Sequence, residues 1–405
     1  MTIKFAFQHW DSELNYWLPN TVPVDYADKT DLPTHGRQSI DQDFLMSHPG
    51  IECHTLEHSQ GKKYIFPVQI RDSHYFERHE HIGFSQVDPK VIEDARKNLC
   101  KIVLIFPLEG DSGYGRFGRD YEILDAWCER HQLNSQQVYF IHGNHNITND
   151  KQHCFTKVSA NMFICWNEPS HGVVNFEPKD LRNLFLNYNR RSKEHRALML
   201  AHIINEQLFD RGLISYHGDG IKNSHEVLRV VDRPGMAQAA DAIDSLIPLE
   251  LDMDLGVNNP AYKNIVQDHY ARTFLSLIAE THVIEGVQFF SEKIWKPISI
   301  GHPFMLVASS GMLELLRSEG YKTFGQWWNE DYDKETNLDQ RIRMILVELK
   351  RLSMLSPIEL KSMRTQMQPT LEFNQGLFNQ QWKDLCCPRN DEVVFKIIKD
   401  IWDSF

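Results

Sequence analysis

The chain lacks the cysteine pairs and the long apolar runs typical of extracellular and membrane-spanning proteins. Its 405 residues include seven cysteines, an odd number with no C-x-x-C pair, which argues against a disulfide framework and a structural zinc site. No run of about 18 apolar residues is present that could span a bilayer. The first residues reach a carboxylate at Asp11 before an apolar segment could form, so we expect no secretory signal. The expectation is a soluble, cytoplasmic protein with reduced thiols.

The chain also lacks an overall positive charge. Its 55 acidic and 43 basic residues give a net charge of −12 with histidine neutral. Such a chain has no general field that would hold a polyanion, so contact with nucleic acid would need a local basic patch. The 41% of hydrophobic and 24% of charged residues are typical of a globular protein. The length suits two domains of about 150–200 residues each.

Alternating strand and helix patterns predict an α/β fold. In the middle of the chain, an apolar strand at 101–106, an amphipathic helix at 121–128 and a strand at 137–141 form a βαβ unit. In the second half, Ser192 and Ser291 are the predicted N-caps of two helices. The elements predicted there are strands at 184–188, 274–279 and 303–308 and helices at 192–207, 291–300 and 311–318.

The order of these elements predicts two Rossmann-like domains that face each other across a cleft. The domains are assigned to residues 1–178 and 179–375, and residues 376–405 are expected to form a C-terminal helix that packs back on the domain junction. Residues 1–95 show one strand-like run, at 64–70, and no sustained helical period. The architecture of this N-terminal part therefore stays open.

An acidic and a basic residue stand together at a predicted helix entrance in the second domain. The preceding strand ends at Ala279, and Ser291 caps the helix whose first turn carries Glu292 and Lys293. At the carboxyl end of a parallel sheet, such a carboxylate can accept the two hydroxyls of a ribose, while the ammonium offsets the charge of a diphosphate. The alternative is that Glu292 only compensates the helix dipole and pairs with Lys296.

Five short strings extend this pattern. They are FLSLIAET at 274–281, FFSEKIWKP at 289–297, HPF at 302–304, GYKTF at 320–324 and DYD at 331–333. These strings resemble a group of phage and bacterial glycosyltransferases and, more distantly, the nucleotide-binding segment of α-1,3-fucosyltransferases. In those proteins Glu-Asn-Ser ends the strand and Thr-Glu-Lys opens the helix. Here Glu280 takes the first position, and Thr281 stands where that family has asparagine.

The resemblance implies a GT-B glycosyltransferase, an enzyme that moves a sugar from a nucleotide-diphosphate sugar to an acceptor hydroxyl. It implies that Glu280, Thr281, Ser291, Glu292 and Lys293 bind the donor, with no glycine-rich phosphate loop and no divalent metal or other cofactor. The first domain then binds the acceptor, and the second binds the nucleotide sugar. The acceptors that stay open are 5-hydroxymethylcytosine in phage DNA, modified in the host cytoplasm, a surface glycan and a protein side chain.

Two arginines, Arg190 and Arg191, follow a predicted strand and precede the N-terminus of a predicted helix. Arginines in that position can bind the donor phosphates bidentately and neutralise the diphosphate as it leaves. The alternative is that they are surface charges at a domain junction. Asp252 and Asp254 weakly imitate the metal-binding Asp-x-Asp motif of other transferases, and we predict no metal site there.

A loop with four glycines, at 108–118, carries the acids Glu109 and Asp111. An inverting transfer needs a group that removes the proton of the acceptor hydroxyl, and these two acids are the candidate bases, with Glu109 the first choice. The next loop carries His142, Asn144 and His145, which are the candidate acceptor-binding residues. The alternatives are a flexible glycine loop with solvated acids, and a base in the N-terminal part of the chain.

Two other classes of function stay open. Asp72, His74, Asp111, Asn144 and His145 follow the order of the metal ligands in a dinuclear metallophosphoesterase. Such a site also needs later histidines in a Gly-His-x-His arrangement, and the sequence has none. The other class is a non-catalytic module that binds a nucleotide sugar or a glycan.

Overall fold

The computed structural model describes fifteen stretches of the chain, and it places them in two compact units. The described residues are 2–7, 9–11, 16–18, 49–59, 61–69, 87–106, 120–143, 145, 153–159, 181, 183–220, 227–230, 234–251, 265–386 and 392–405. One unit is formed by Met1–Phe163 with Lys383–Phe405, and the other by Ile164–Trp382. The predicted domain boundary at 178 lies outside the described residues.

The described elements are numbered in chain order. The strands are β1 Ile3–Phe7, β2 His9–Asp11, β3 Tyr16–Leu18, β4 Ile51–Thr55, β5 Tyr64–Gln69, β6 Cys100–Phe106, β7 Val138–His142, β8 Thr156–Ser159, β9 Asn183–Ser192, β10 Gly212–Gly220, β11 Thr273–Ala279 and β12 Phe304–Val307. The helices are α1 Pro89–Arg96, α2 Asp120–Arg130, α3 Glu194–Asn205, α4 Val227–Val230, α5 Met236–Leu246, α6 Gln267–Ala271, α7 Glu292–Ser299, α8 Met312–Ser318, α9 Leu338–Ser353, α10 Pro357–Cys386 and α11 Glu392–Asp403.

The first unit is built on a parallel sheet of six strands in the order β4-β1-β5-β6-β7-β8. Alternate residues of a strand face opposite sides of a sheet, and β6 shows this clearly. Ile102 and Leu104 belong to the core on the side of α1 and α2, whereas Val103 belongs to the core on the other side. Ile398 and Ile401 of α11 complete that second core. Helices therefore cover both faces of the sheet, as expected for parallel strands.

The second unit is built on a parallel sheet of four strands in the order β10-β9-β11-β12. The chain passes from β9 to β10 and then returns across β9 to β11, so the strand order reverses between β9 and β11. Pairing of β9 with β11 ends at Leu186 and Ser276, although β9 pairs with β10 as far as Ser192 and β11 pairs with β12 as far as Ala279. A gap therefore opens between the carboxyl ends of β9 and β11.

Long-range hydrogen bonds hold helices on this sheet. Helix α3 contacts β9 and also α5 and α9, while α6 and α7 contact β11. Arg364 of α10 is buried, and its Nη1 donates to the carbonyl of Phe274 in β11 at 2.7 Å. Further along the same helix, Gln375 donates to the carbonyl of Ser299 at 2.7 Å. Helix α10 is therefore bonded to the amino end of β11 and to the carboxyl end of α7.

The two parallel sheets confirm the predicted α/β class, and Ser291 is the N-cap of α7 as predicted. The predicted cap at Ser192 is wrong, because β9 continues through Ser192 and Lys193 precedes α3 without a side-chain cap bond. The N-terminal part holds β1, β4, β5 and α1, of which sequence reasoning found only β5. The cleft between two facing domains stays a prediction. None of the described helices is long and apolar enough to cross a membrane.

We expect Ile398→Ala to destabilise the first unit. Ile398 is 1% exposed in the core between α11 and the sheet, and an isoleucine-to-alanine change in such a core costs about 2–5 kcal/mol through lost burial and the cavity left behind. Urea denaturation measures the change. Lys396→Ala is the control, because Lys396 lies exposed on the same helix and its loss should cost less than about 0.5 kcal/mol. Equal small losses in both variants would contradict the packing of α11.

Candidate functional site

A buried carboxylate organises the carboxyl end of β11. Glu280 is 0% exposed, and its oxygens accept hydrogen bonds from the backbone N–H of Thr281 at 3.0 Å and of Ser291 at 3.2 Å. The hydroxyl of Ser291 donates to the same carboxylate. Burial raises the pKa of the Glu280 carboxyl, while the charge of Lys293 and the hydrogen bond from Ser291 oppose that shift. The residue before the loop is thus tied directly to the residue that caps α7.

The predicted donor residues of this segment form one hydrogen-bonded cluster. The Nζ of Lys293 donates to the hydroxyl of Thr281 at 2.9 Å, to the hydroxyl of Ser291 at 3.0 Å and to the carboxylate of Glu292 at 3.2 Å. The hydroxyl of Ser291 also accepts from the backbone N–H of Lys293 at 3.3 Å, as an N-cap does. The structure therefore brings together all five residues that sequence reasoning selected here, Glu280 included.

Exposure separates these residues into two groups. Glu280 and Ser291 are fully buried, so their visible role is to hold the loop and the helix entrance. The side chains of Glu292 and Lys293 are 20% and 22% exposed to solvent. Burial alone would raise the pKa of the Glu292 carboxyl, but Lys293 and Lys296 outweigh it and lower that pKa below its ordinary value. An ionised carboxylate and an ammonium therefore stand at the surface of a helix N-terminus.

Two residues near the start of α3 brace the same loop, and sequence reasoning did not assign them a role. The Nζ of Lys193 donates to the carbonyl of Thr281 at 2.9 Å. The Nε2 of His195, which is 6% exposed, lies 3.0 Å from the carbonyl of Glu280. Because a carbonyl only accepts, Nε2 carries the proton in this contact. Burial, with a smaller effect of Arg196, lowers the pKa of His195 to about 3.

The middle of the loop is fixed by Arg341 of α9. This arginine is 1% exposed, and its Nη2 donates to the carboxylate of Glu285 at 2.6 Å. Its Nε donates to the carbonyl of Glu335 at 2.7 Å. The hydroxyl of Ser309, just after β12, donates to the carbonyl of Ile284 at 2.8 Å. The connection from β11 to α7 is therefore held at its ends by Glu280 and Ser291 and in its middle by Arg341 and Ser309.

Arg190 and Arg191 were expected between a strand and a helix, and this expectation is corrected. Both belong to β9, which runs to Ser192, and Arg191 is paired with Asp219 of β10. They therefore stand on the last residues of the strand, beside the gap between β9 and β11. Open α/β sheets bind ligands at such a reversal of strand order, beyond the carboxyl ends of the strands. The two arginines and the cluster around Lys293 thus border the same edge of one sheet.

The predicted acceptor residues that the structure describes lie at the end of β7. His142 is 0% exposed and its ring is stacked on Phe140, with centroids 5.3 Å apart. Burial, with the charge of Lys157, lowers the pKa of His142 to about 4, and burial lowers the pKa of His145 to about 4 as well. Both rings are therefore neutral near pH 7.

Several predicted residues lie outside the described part of the chain. The strand before the glycine loop ends at Phe106, which is paired with His142, so the loops after β6 and β7 begin side by side. Within the described residues, no group of three or more His, Cys, Asp or Glu side chains is placed to hold a metal ion. The predicted residues not described are the candidate bases Glu109 and Asp111, the acceptor residue Asn144, and Asp72, His74, Asp252 and Asp254.

Comparisons with known proteins include a distant structural similarity. No protein-family model and no curated protein sequence matches the chain. A solved structure of an α1,3-fucosyltransferase aligns with 94% of this chain and with 90% of its own chain, at 9% identity and a TM-score of 0.38. A similarity at this level carries no argument about function, so the chemistry of the site rests on its own residues.

We expect His195→Gln to make the protein less sensitive to acid. The pKa of His195 is held at about 3 in the folded chain, against an ordinary value of about 6.5. Between these values the unfolded chain binds a proton that the folded chain excludes, so stability that is present above about pH 6.5 is lost as the pH falls. One such histidine contributes up to about 1.4 kcal/mol of this loss per pH unit. Glutamine can donate to the Glu280 carbonyl without titrating.

The measurement is urea denaturation of the parent and the variant between about pH 8 and pH 5. The difference above pH 7 gives the cost of the substitution itself and serves as the internal control. The variant should lose less free energy of unfolding than the parent as the pH falls. Parallel curves for the two proteins would show that His195 is not held neutral by the fold.

Proposed function

We propose that the chain is a glycosyltransferase that moves a sugar from a nucleotide-diphosphate sugar to an acceptor hydroxyl, by an inverting reaction that needs no metal. The observation that carries the proposal is the pair Glu292 and Lys293 at the N-terminus of α7, beside the reversal of strand order. The resemblance of this segment to phage and bacterial glycosyltransferases supports the same assignment.

The chemistry of the pair suits a nucleotide diphosphate. The carboxylate of Glu292 can accept hydrogen bonds from two ribose hydroxyls, and its lowered pKa keeps it ionised at neutral pH. The ammonium of Lys293 and the positive end of the helix dipole attract the negative phosphates. Both side chains lie on the first turn of α7, directly after a loop that Glu280 and Arg341 hold in place. A site that is ordered before the ligand arrives loses less entropy on binding.

Arg190 and Arg191 are the proposed leaving-group residues. Charge on the diphosphate grows as the bond to the sugar breaks, and arginines at the carboxyl end of β9 can stabilise that charge. This role replaces the metal ion that other transferases use for the same purpose.

The first unit is the proposed acceptor-binding part. Glu109 is the proposed base, with Asp111 second, and His142, Asn144 and His145 are the proposed acceptor contacts. The proposed acceptors are 5-hydroxymethylcytosine in phage DNA, whose base would be flipped out of the duplex, and a surface glycan. A DNA acceptor would place the reaction in the host cytoplasm.

We expect the parent protein to bind a nucleoside diphosphate and to hydrolyse the matching nucleotide sugar slowly. Glu292→Gln and Lys293→Ala should each lower the affinity for that diphosphate, because each removes a charge-assisted contact worth about 1.5–3 kcal/mol, or roughly 10- to 150-fold. Calorimetric titration with a panel of nucleoside diphosphates and an assay of donor hydrolysis make the two measurements.

Matched controls come from the same unit. Glu314→Gln removes a charge from the first turn of α8, and Lys361→Ala removes one from an exposed position of α10. Both should bind the diphosphate as the parent does. Unchanged affinity in Glu292→Gln and Lys293→Ala would show that the diphosphate does not bind at this helix. If the parent protein bound no diphosphate at all, the proposed function would be overturned.

We expect Arg190→Ala and Arg191→Ala to lower kcat more than they raise the KM for the donor, because the charge that they stabilise is larger in the transition state than in the bound substrate. Steady-state kinetics with the preferred donor makes the comparison. Arg343→Ala, a change at an exposed arginine of α9, should leave both constants unchanged. A rise in KM alone would show that the two arginines bind the nucleotide sugar without stabilising the transition state. Full activity in both variants would show that they are surface charges without a role in the reaction.

A further inference from the structure

A short chain of polar side chains begins where the backbone pairing of β9 and β11 stops. Asn187 and Leu277 are the first residues past the last pairing of these strands. The Nδ2 of Asn187 donates to the carbonyl of Leu277 at 2.7 Å. A side-chain hydrogen bond therefore joins the two strands at the first position where their backbones no longer pair. The Nδ2 of Asn189 donates in turn to the Oδ1 of Asn187. The two asparagines therefore form a relay that starts on the backbone of β11.

The direction of this relay is set by its first acceptor. The carbonyl of Leu277 can only accept, so the Asn187 atom that faces it must be the nitrogen. The other amide atom of Asn187 is then an oxygen, which requires the nitrogen of Asn189. The Oδ1 of Asn189 is thereby fixed as the free end of the relay. No exchange of nitrogen and oxygen in either amide keeps both hydrogen bonds.

This last oxygen has no partner in the part of the chain that the structure describes. Asn189 is 1% exposed, and its Oδ1 is buried without a hydrogen-bond donor. Its backbone N–H donates to the hydroxyl of Ser215 at 3.2 Å, so the residue itself is held firmly. A buried carbonyl oxygen without a donor lowers the stability of the free protein, and such atoms in native proteins call for an explanation.

We propose that the Oδ1 of Asn189 accepts a hydrogen bond from a hydroxyl or an N–H group of the bound ligand. This inference rests on the proposed function and divides the nucleotide sugar between two places. The bridging diphosphate of a nucleotide sugar carries no proton at neutral pH and its oxygens are repelled by a carbonyl oxygen, so this diphosphate does not bind at Asn189. The uncharged part of the ligand, which is the base, the ribose or the transferred sugar, supplies the hydrogen-bond donor in the gap. The diphosphate lies towards Lys293 and the arginines that follow Asn189 in β9.

The test compares Asn189→Ala with the parent by calorimetric titration. The probes are uridine and guanosine diphosphates, the parent nucleosides, the corresponding nucleotide sugars and inorganic pyrophosphate. Affinity for the nucleotide that the parent prefers should fall roughly 2- to 13-fold, the weight of one neutral hydrogen bond. Affinity for pyrophosphate should not change. A loss of affinity for the free nucleoside would show that the hydrogen-bond donor belongs to the base or the ribose. A loss seen only with the nucleotide sugar would show that it belongs to the transferred sugar.

Controls separate binding from folding. Thermal unfolding shows whether each variant is folded, and Asn189→Leu, which keeps the side-chain volume without an acceptor, replaces Asn189→Ala if the smaller residue unfolds the sheet. Both variants should show the same selective loss. Parental affinity for every probe, or an equal loss for pyrophosphate, would overturn the inference even where Glu292→Gln weakens binding and the proposed function stands. No binding of any nucleotide by the parent would overturn both.

Discussion

Burial of the Glu280 carboxylate is the constraint from which the candidate site follows. A buried charge is tolerated only where donors compensate for its lost hydration, and here the donors are the N–H of Thr281 and the N–H and hydroxyl of Ser291. To bring Ser291 back to Glu280, the chain must close the loop between β11 and α7. That closure decides where α7 begins, and therefore where Glu292 and Lys293 stand. The partly exposed pair therefore depends on a buried carboxylate.

The second constraint is the reversal of strand order between β9 and β11. Strand β9 pairs with β10 along one edge and with β11 along the other. The carboxyl ends of β9 and β11 separate after Leu186 and Ser276. The asparagine relay, which is neutral and ends in an acceptor, begins where this gap opens. Glu292 and Lys293 stand at the N-terminus of α7, and Arg190 and Arg191 belong to the last residues of β9. The proposed division of the ligand, with uncharged groups in the gap and phosphates at its rim, follows from this separation of neutral and charged residues.

The positions of Glu292 and Lys293 could be predicted from the sequence, but the contacts that hold the loop before them could not. A strand, a loop and a serine-capped helix predict the position of Glu292 and Lys293, because each signal is local. The contacts of Lys193 and His195 with the loop join residues that are 88 and 85 positions apart, and no local pattern records them. For the same reason Arg190 and Arg191, which read as a loop before a helix, proved to be strand residues paired with β10.

The amino-acid sequence by itself determined the α/β class, the buried strands β6 and β7, the cap at Ser291 and the amphipathic helix α11. These features depend on periodicity and capping within a few residues. The strands β1 and β4, the strand order of both sheets, the end of the β9–β11 ladder and the burial of Glu280 were decided only by the tertiary structure. Parallel strands are joined through long crossovers, so their partners and their last pairings depend on contacts between distant segments.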